Sequence, residues 1–482
     1  MFFPLLAGAS FDFNSSCRDA YKDILGLEME KGRGILEAER KLHAENSITV
    51  LLDNYTDFLT LVITEERDKY DAWKKRKSER LAVIEDDSKD SPWFLYCKAE
   101  INLQWAFTEI KFGDYKDAAV DINKAFKQLG SNEKKFPGFI PTKKGLGLLH
   151  ALIGNIPANY KWAADLVGMS GTVKQGIAEL EAVLAETQKQ NQFAYLETET
   201  LFYLSFIQLN LNNDETAEEK IFQRLSEKRM SQPLLVYAAA GMALHTGRCA
   251  RAFEFISQLP ADASRLPFHY LGYLQGVALM NKLDTNAAKY FRVYVRNFKG
   301  INFIRSAYRG LAWCCLISND KDGYARYMEL VKTNGSSMTD EDKQALKDAQ
   351  GNVMPEVNLL RSRLLFDGGY YREALDAVLK MEPKNSRSIH DIIEFEYRLA
   401  RIHHKMGDTQ TAIRYYELAY SSGEKYPFYF AANSALQLGL IYETMNDKVH
   451  SAEWFKKCLA LHDHEYQDSI ELKAKAGLSR VQ

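Results

Sequence analysis

A small residue recurs at a regular interval along this chain. From residue 217 onward, alanines recur every 35 to 40 residues, with one longer interval of 49 residues. Each of these alanines lies near the start of an amphipathic helix, just after a short turn. A small side chain at a fixed point of a repeating unit lets two helices approach closely. The period therefore predicts an all-α chain of stacked helix pairs. The marker alanines are Ala217, Ala252, Ala288, Ala325, Ala374, Ala412 and Ala452.

The same unit occurs earlier in the chain. Ser91 followed by Pro92 is typical of a helix N-cap and first helical position. Gly113 then predicts a tight turn, and Ala118 and Ala125 fall where a second helix needs small residues. This arrangement resembles the tetratricopeptide repeat pattern, whose period is about 34 residues. The resemblance implies a TPR-like α-α superhelix, a right-handed solenoid of antiparallel helix pairs.

Two local signals refine this organisation. Gly32 and Gly34 predict a break where two helices turn within the helical region at 18–86. An insertion near 332–353 lengthens one interval of the repeat, and Thr339 followed by acidic residues predicts the start of an extra helix there.

The stretch from Gly145 to Gly171 is apolar, rich in glycine and almost free of charge. Its apolar run before Pro157 is too short to span a bilayer. We therefore predict that it is buried in the middle of the array, where glycines allow close helix crossing. The predicted organisation is an N-terminal arm or export-signal remnant at 1–13, helical repeats at 14–144, the glycine-rich segment at 145–190, and TPR-like repeats with the insertion at 191–482.

A more specific resemblance rests on the same stretch. The stretch begins with GxG, and an apolar helix then runs to Ile-Pro. A second helix ends on LVGMSG and is followed by QGIAELEAVL. This order of elements resembles the eukaryotic tetratricopeptide-repeat thirty-nine family, which includes the fungal inclusion-body-clearance proteins. The resemblance implies an all-helical protein that acts by protein association, with no catalytic residues. The matching residues are Gly145, Gly147, Leu148, Pro157, Leu166, Gly168, Ser170, Gly171 and Gly176.

Composition and motifs exclude several function classes. The formal net charge of −2 provides no global field that favours nucleic acid. No P-loop, GxGxxG, GxSxG or HExxH motif occurs. The six cysteines contain no CxxC pair, so we expect buried free thiols and no zinc site. We predict no enzyme activity, no cofactor, no metal and no transmembrane segment.

Repeat arrays bind their partners in the concave groove lined by the first helix of each pair. In the C-terminal repeats these helices carry basic and aromatic side chains suited to an acidic segment or a C-terminal carboxylate. The alternative is that the arginines pair with glutamates such as Glu394 and Glu396. The candidate partner-binding residues are Arg363, Tyr397, Arg398, Arg401, His404 and Lys405.

The leading hypothesis is a non-enzymatic scaffold that binds a protein or peptide. The alternative is an exported bacterial envelope protein that handles a glycan or assists an outer-membrane complex. The N-terminal sequence MFFPLLAGASF ends like a secretory signal but lacks a basic region. It leaves both a cytoplasmic and a periplasmic or exported location open, and the sequence does not determine the oligomeric state.

Overall fold

The computed structural model describes residues 10–156, 168–212, 215–228, 231–385 and 388–482. Within these ranges the regular secondary structure is helical throughout, and no strand occurs. The prediction of an all-α solenoid of helix pairs is confirmed. The boundaries predicted at residues 13, 144 and 190 remain predictions.

The α-helices are numbered here in chain order. The first eight are α1 (Ser15–Leu25), α2 (Met29–Leu42), α3 (Ile48–Thr64), α4 (Arg67–Trp73), α5 (Lys75–Glu85), α6 (Pro92–Phe112), α7 (Tyr115–Lys135) and α8 (Ile140–Gly154). The middle group is α9 (Val173–Lys189), α10 (Glu197–Asn210), α11 (Glu215–Lys228), α12 (Pro233–His245), α13 (Cys249–Gln258), α14 (His269–Met280), α15 (Ala287–Asn297), α16 (Ile304–Ile317) and α17 (Lys321–Thr333). The last group is α18 (Asp340–Gly351), α19 (Val357–Asp367), α20 (Tyr371–Val378), α21 (Ile389–Lys405), α22 (Thr409–Gly423), α23 (Tyr429–Thr444), α24 (Lys448–Leu459) and α25 (Gln467–Val481). Short 3₁₀ turns span Asn191–Leu196 and Pro383–Asn385.

The pair α6–α7 shows how the sequence specifies one unit. The Ser91 side chain accepts a hydrogen bond from the backbone N–H of Trp93, which caps α6. The helix ends at Gly113, whose φ of +87° lies in the left-handed region that favours glycine. Ala118 and Ala125 of α7 are buried against the neighbouring helices. The predicted cap, turn and close-packing alanines are therefore all confirmed.

The marker alanines are confirmed in part. Ala252, Ala374 and Ala412 are fully buried, as predicted. In three other pairs the prediction was wrong by one or two residues. The buried small residues there are Ala287, Gly323 and Ser451, whereas Ala288 and Ala452 are half-buried and Ala325 is exposed. The side chain of Ala217 lies outside the described part of the chain.

The turn predicted at Gly32 and Gly34 is wrong, because α2 runs through both residues. The chain turns instead at Gly26 and Leu27. A Cβ atom on Gly32 would lie 2.7 Å from Cγ1 of Ile24. Gly32 therefore serves the close approach of α2 to α1, and not a change of direction.

The part of the glycine-rich stretch that lies in α8 packs closely, as predicted. A Cβ atom on Gly147 would lie 2.8 Å from Cγ of Leu180 and 3.0 Å from the carbonyl oxygen of Gly176. Gly147 and Gly176 therefore allow α8 and α9 to cross closely. Of the residues that carry the family resemblance, Pro157 and Leu166 lie outside the described residues.

Gly168 departs from the prediction of a packed glycine. It is exposed, and a Cβ atom there would meet no heavy atom within 4 Å. Its φ of +76° shows that glycine is needed at this position for the backbone conformation.

The predicted extra helix in the insertion is confirmed as α18. The Thr339 hydroxyl accepts a hydrogen bond from the backbone N–H of Asp342 and caps the helix. The buried Asp342 carboxylate accepts bonds from the backbone N–H groups of Phe303 (2.6 Å) and Ser306 (3.0 Å), which fixes α18 against the start of α16.

Long-range contacts close the N-terminal and middle helices around a lumen. The Glu65 carboxylate at the end of α3 accepts hydrogen bonds from the backbone N–H groups of Ile301 (3.3 Å) and Asn302 (2.9 Å). The backbone N–H of Leu266 donates to the carbonyl oxygen of Leu27 over 2.8 Å. No described helix is both long enough and apolar enough to cross a bilayer.

Candidate partner-binding groove

A groove of about 760 Å³ lies where the turns of two distant helix pairs meet. One turn joins α12 to α13 at Gly247, and the other joins α19 to α20 at Gly369. Their φ angles are +69° and +85°. A Cβ atom on Gly369 would overlap the carbonyl oxygen of Gly247. Both glycines are therefore required for this contact, which supports one side of the groove.

Two cations from the last turn of α21 line this groove, Arg401 and Lys405. The guanidinium carbon of Arg401 lies 4.1 Å from the ring centroid of Phe366, a cation–π contact. Among the described residues, no carboxylate lies within ion-pair distance of either side chain, and neither donates a hydrogen bond. The donors of both cations therefore remain available to a ligand.

The other charged groups of the groove largely cancel. Arg248 forms an ion pair with Glu219, and its guanidinium carbon lies 4.7 Å from the ring centroid of Phe222. The hydrogen bond from Arg248 holds the pKa of Glu219 below its usual range. Asp367 also lines the groove. Because Arg248 and Glu219 neutralise each other, Arg401 and Lys405 leave an excess of positive charge.

The remaining predicted partner-binding residues lie outside the lining of this groove. Arg363 is half-buried, with its guanidinium carbon 5.2 Å from the ring centroid of Trp313. His404 packs edge-on against the ring of Tyr416. Burial and the adjacent Lys405 charge lower the pKa of His404, so its imidazole is neutral at pH 7.

Tyr397 and Arg398 are packed inside the array. Tyr397 is 2% exposed, and its hydroxyl accepts a hydrogen bond of 2.9 Å from Nδ2 of Asn433. Arg398 is 3% exposed and donates to Oε1 of Glu394 over 2.6 and 3.0 Å. For Arg398 the structure therefore shows the alternative, in which the arginine pairs with a glutamate of the same chain. Glu396, the other glutamate considered, pairs with no described arginine.

The groove residues that sequence reasoning missed include His245, Arg248 and Tyr371. Each lies within two residues of a turn glycine, Gly247 or Gly369. The glycines identify turns in the sequence, but the period does not show that these two turns touch.

A cluster of buried charges also escaped the sequence analysis. Lys144 is fully buried, and its ammonium group donates to Oε2 of Glu100 (3.1 Å), to Glu199 and to the Tyr55 hydroxyl (2.9 Å). The Tyr203 hydroxyl donates to Glu199 over 2.6 Å. These contacts join α3, α6, α8 and α10.

The pKa values of the two carboxylates in this cluster are shifted in opposite directions. Burial raises the pKa of Glu100, and the Lys144 ammonium only partly offsets this effect. Burial alone would also raise the pKa of Glu199, but the Lys144 charge and the hydrogen bonds from Lys144, Tyr203 and Tyr21 lower it. Lys144 keeps its proton, because the two glutamates outweigh the effect of burial on its pKa. The charges of Lys144 and Glu199 therefore offset each other in the interior.

The described residues contain one group with the spacing of metal ligands, formed by His390, Asp391 and Glu394. Its side chains are half-buried, and Glu394 already accepts both bonds from Arg398. Both bonds from Arg398 go to Oε1 of Glu394, and the Asp391 carboxylate contacts His390 within the group at 3.1 Å.

Residues 391–463, which contain α22, α23 and α24, match a family model described as tetratricopeptide repeat. This segment is a tetratricopeptide match. It coincides with the repeat whose turn and buried alanine the sequence predicted, and it contains Arg401 and Lys405. The more specific resemblance to the thirty-nine family gains no independent match.

Two solved structures align with this chain at low identity and low TM-score. The Cut9–Hcn1 hetero-tetramer of APC/C aligns at 11% identity with a TM-score of 0.24, covering 96% of this chain and 95% of that one. Yeast Tom70 aligns at 12% identity with a TM-score of 0.24, covering 88% and 96%. No curated protein matches the sequence.

Proposed function

We propose that this chain is a non-enzymatic helical-repeat scaffold that binds a protein or peptide partner through the groove at Arg401 and Lys405. One observation carries the proposal. Two cations at the end of α21 lie in a groove of about 760 Å³ without a carboxylate partner among the described residues. The C-terminal tetratricopeptide match covers the same helix and supports a protein ligand.

The chemistry of the groove favours an acidic segment. Guanidinium groups bind carboxylates through two parallel hydrogen bonds, and Arg401 is held in place by the Phe366 ring. Burial raises the pKa of Tyr371, so its hydroxyl stays protonated and able to donate. An acidic side chain or a C-terminal carboxylate would therefore accept hydrogen bonds from both Arg401 and Tyr371.

The test measures binding of acidic peptides to the full-length protein. A fluorescein-labelled pool of acidic dodecapeptides with free C-termini is titrated by fluorescence anisotropy, and a pool with lysine at the acidic positions is the peptide control. We expect Arg401→Gln to weaken binding about tenfold and Lys405→Gln about threefold, because Arg401 is the more buried cation.

The matched protein control is Arg414→Gln, since Arg414 is an exposed arginine on α22 outside the groove lining. Equal affinity of the wild type, Arg401→Gln and Arg414→Gln proteins for the acidic pool would contradict the groove assignment. Equal binding of the acidic and lysine pools would contradict the charge assignment.

A further inference from the structure

A second cavity, of about 520 Å³, lies in the lumen that the Glu65 contacts close. Its walls come from α3, α6, α10, α12 and the segments around Phe268 and Phe303, and they are dominated by aromatic and aliphatic side chains. Three large apolar side chains, Ile110, Tyr115 and Phe206, also line it, and each is 38% or more exposed. The cavity therefore opens to solvent through an apolar rim.

One part of the wall carries polar groups without partners. The hydroxyls of Tyr237 and Tyr270 form no hydrogen bond with any described residue, and their ring centroids lie 5.8 Å apart. Unpaired polar groups in a largely apolar wall are costly, so these two half-buried hydroxyls favour a ligand that supplies the missing bonds.

The lining offers no unpaired cation to an anionic ligand. Glu65 pairs with Lys111 at 2.7 Å, and Glu199 pairs with the buried Lys144. Burial raises the pKa of Tyr237, and the charges of Glu65 and Glu341 add to this effect. The phenol hydroxyls are therefore neutral at pH 7.

We propose that this cavity binds an uncharged amphiphile, a small molecule with a long apolar body and one hydroxyl group. The apolar body fills the aromatic lumen. The hydroxyl of the ligand accepts a hydrogen bond from the hydroxyl of Tyr237 or Tyr270. The volume falls within the range of about 300 to 1,000 Å³ that is usual for small-molecule pockets lined by apolar side chains. This site and the groove at Arg401 share one lining residue, Leu209.

Gly241 offers a way to fill the cavity without disturbing the fold. It lies on α12 in the cavity wall, and a Cβ atom there would meet only Cδ2 of Leu209, at 3.7 Å. A leucine at this position projects into the lumen and also favours the helix. The matched control is Gly272, a helical glycine of α14 outside the lining, where a Cβ atom would meet nothing within 4 Å.

The experiment uses tritiated 1-hexadecanol and tritiated hexadecanoic acid, delivered separately from cyclodextrin at pH 8 to the full-length protein. Label retained through gel filtration measures binding. We expect saturable binding of the alcohol, and binding of the ionised acid at least about tenfold weaker, because the lining offers no unpaired cation to the buried carboxylate of the acid. Gly241→Leu should lower affinity for the alcohol at least about tenfold, while Gly272→Leu should leave it unchanged.

Removing the hydroxyls of Tyr237 and Tyr270 tests the proposed hydrogen bond to the ligand. The double variant Tyr237→Phe/Tyr270→Phe should bind the alcohol about three to tenfold more weakly. Thermal unfolding and acidic-peptide binding test whether each variant is folded. If Gly241→Leu does not fold, Gly241→Met is the second variant that fills the cavity.

Three results would overturn the proposal: no retention of the alcohol by the wild type, equal affinity for the alcohol and the acid, or equal alcohol binding by the folded Gly241 and Gly272 variants. A cavity that is covered by a protein segment instead would give the first result. Loss of acidic-peptide binding in Arg401→Gln with unchanged alcohol binding would separate the two sites.

Discussion

The Glu65 carboxylate accepts a hydrogen bond of 2.9 Å from the backbone N–H of Asn302, 237 residues further along the chain. The same carboxylate pairs with the Lys111 ammonium at 2.7 Å. A single side chain at the end of α3 thus joins the N-terminal helices to the segment before α16. This contact closes the lumen that contains the apolar cavity.

Removing this side chain should destabilise the closed lumen. Glu65→Ala leaves two buried backbone donors and Lys111 without an acceptor, so we expect a loss of about 2 to 4 kcal/mol in the free energy of unfolding. Urea denaturation measures the loss, and hydrogen exchange should accelerate at residues 301 and 302. Glu79→Ala on the exposed face of α5 is the control. Equal unfolding midpoints for the two variants would show that the contact contributes nothing.

The buried ammonium group should be essential for stability. Lys144→Met leaves Glu199 charged and unpaired in the interior, and we expect a loss of about 3 to 5 kcal/mol. Adding Glu199→Gln removes the unpaired charge and should restore part of the loss. Urea denaturation of the wild type and both variants at pH 7 measures this coupling. Equal stability of the single and double variants would contradict an ionic contact.

Glu100 should make the protein less stable as the pH rises. Its pKa is raised in the folded state by burial, so the folded protein holds a proton that the unfolded chain loses above about pH 4.5. Its contribution is fully present below that pH and declines as the pH rises toward the folded-state value. Glu100→Gln removes this decline, so between pH 5 and pH 8 the wild type should lose more stability than the variant. Parallel pH profiles from urea denaturation would contradict a raised pKa of Glu100.

Two glycines three residues apart should respond differently to valine. A Cβ atom on Gly171 would lie 2.6 Å from Cα of His150, so Gly171→Val forces backbone atoms of α8 away. Gly168→Val meets no neighbour and adds only the strain of its positive φ, about 1 to 2 kcal/mol. We expect Gly171→Val to lower the unfolding temperature clearly more than Gly168→Val. The reverse order would contradict the crossing of α8 and α9.

The cysteines should be slow to react in the folded protein. All six are free, and four are buried. Burial raises the pKa of Cys249 to about 11 and that of Cys458 to about 12, so little thiolate exists at pH 7.5. An aromatic disulfide reagent should modify Cys314 and Cys315 first and the other thiols only after denaturation. Rapid modification of Cys249 in the native protein would contradict its burial.

The amino-acid sequence by itself determined the helix pairs and their local boundaries. Ser91, Gly113 and Thr339 act through hydrogen bonds or backbone angles within a few residues, so the local sequence is sufficient to place these caps and turns. The buried alanines were placed less accurately, because neighbouring positions on a helix differ by about 100° in direction. Only the adjacent helix decides that Ala287 faces it and that Ala288 does not.

The tertiary structure alone decided where chemistry is available. Arg398 and Arg401 are three residues apart on one helix, and the sequence treats them alike. Packing buries Arg398 against Glu394, whereas it places Arg401 over Phe366 at the groove. The groove depends on contact between Gly247 and Gly369, and the cavity depends on contact between Glu65 and Asn302. Such contacts arise from the curvature accumulated over several repeats, which a repeat period does not specify.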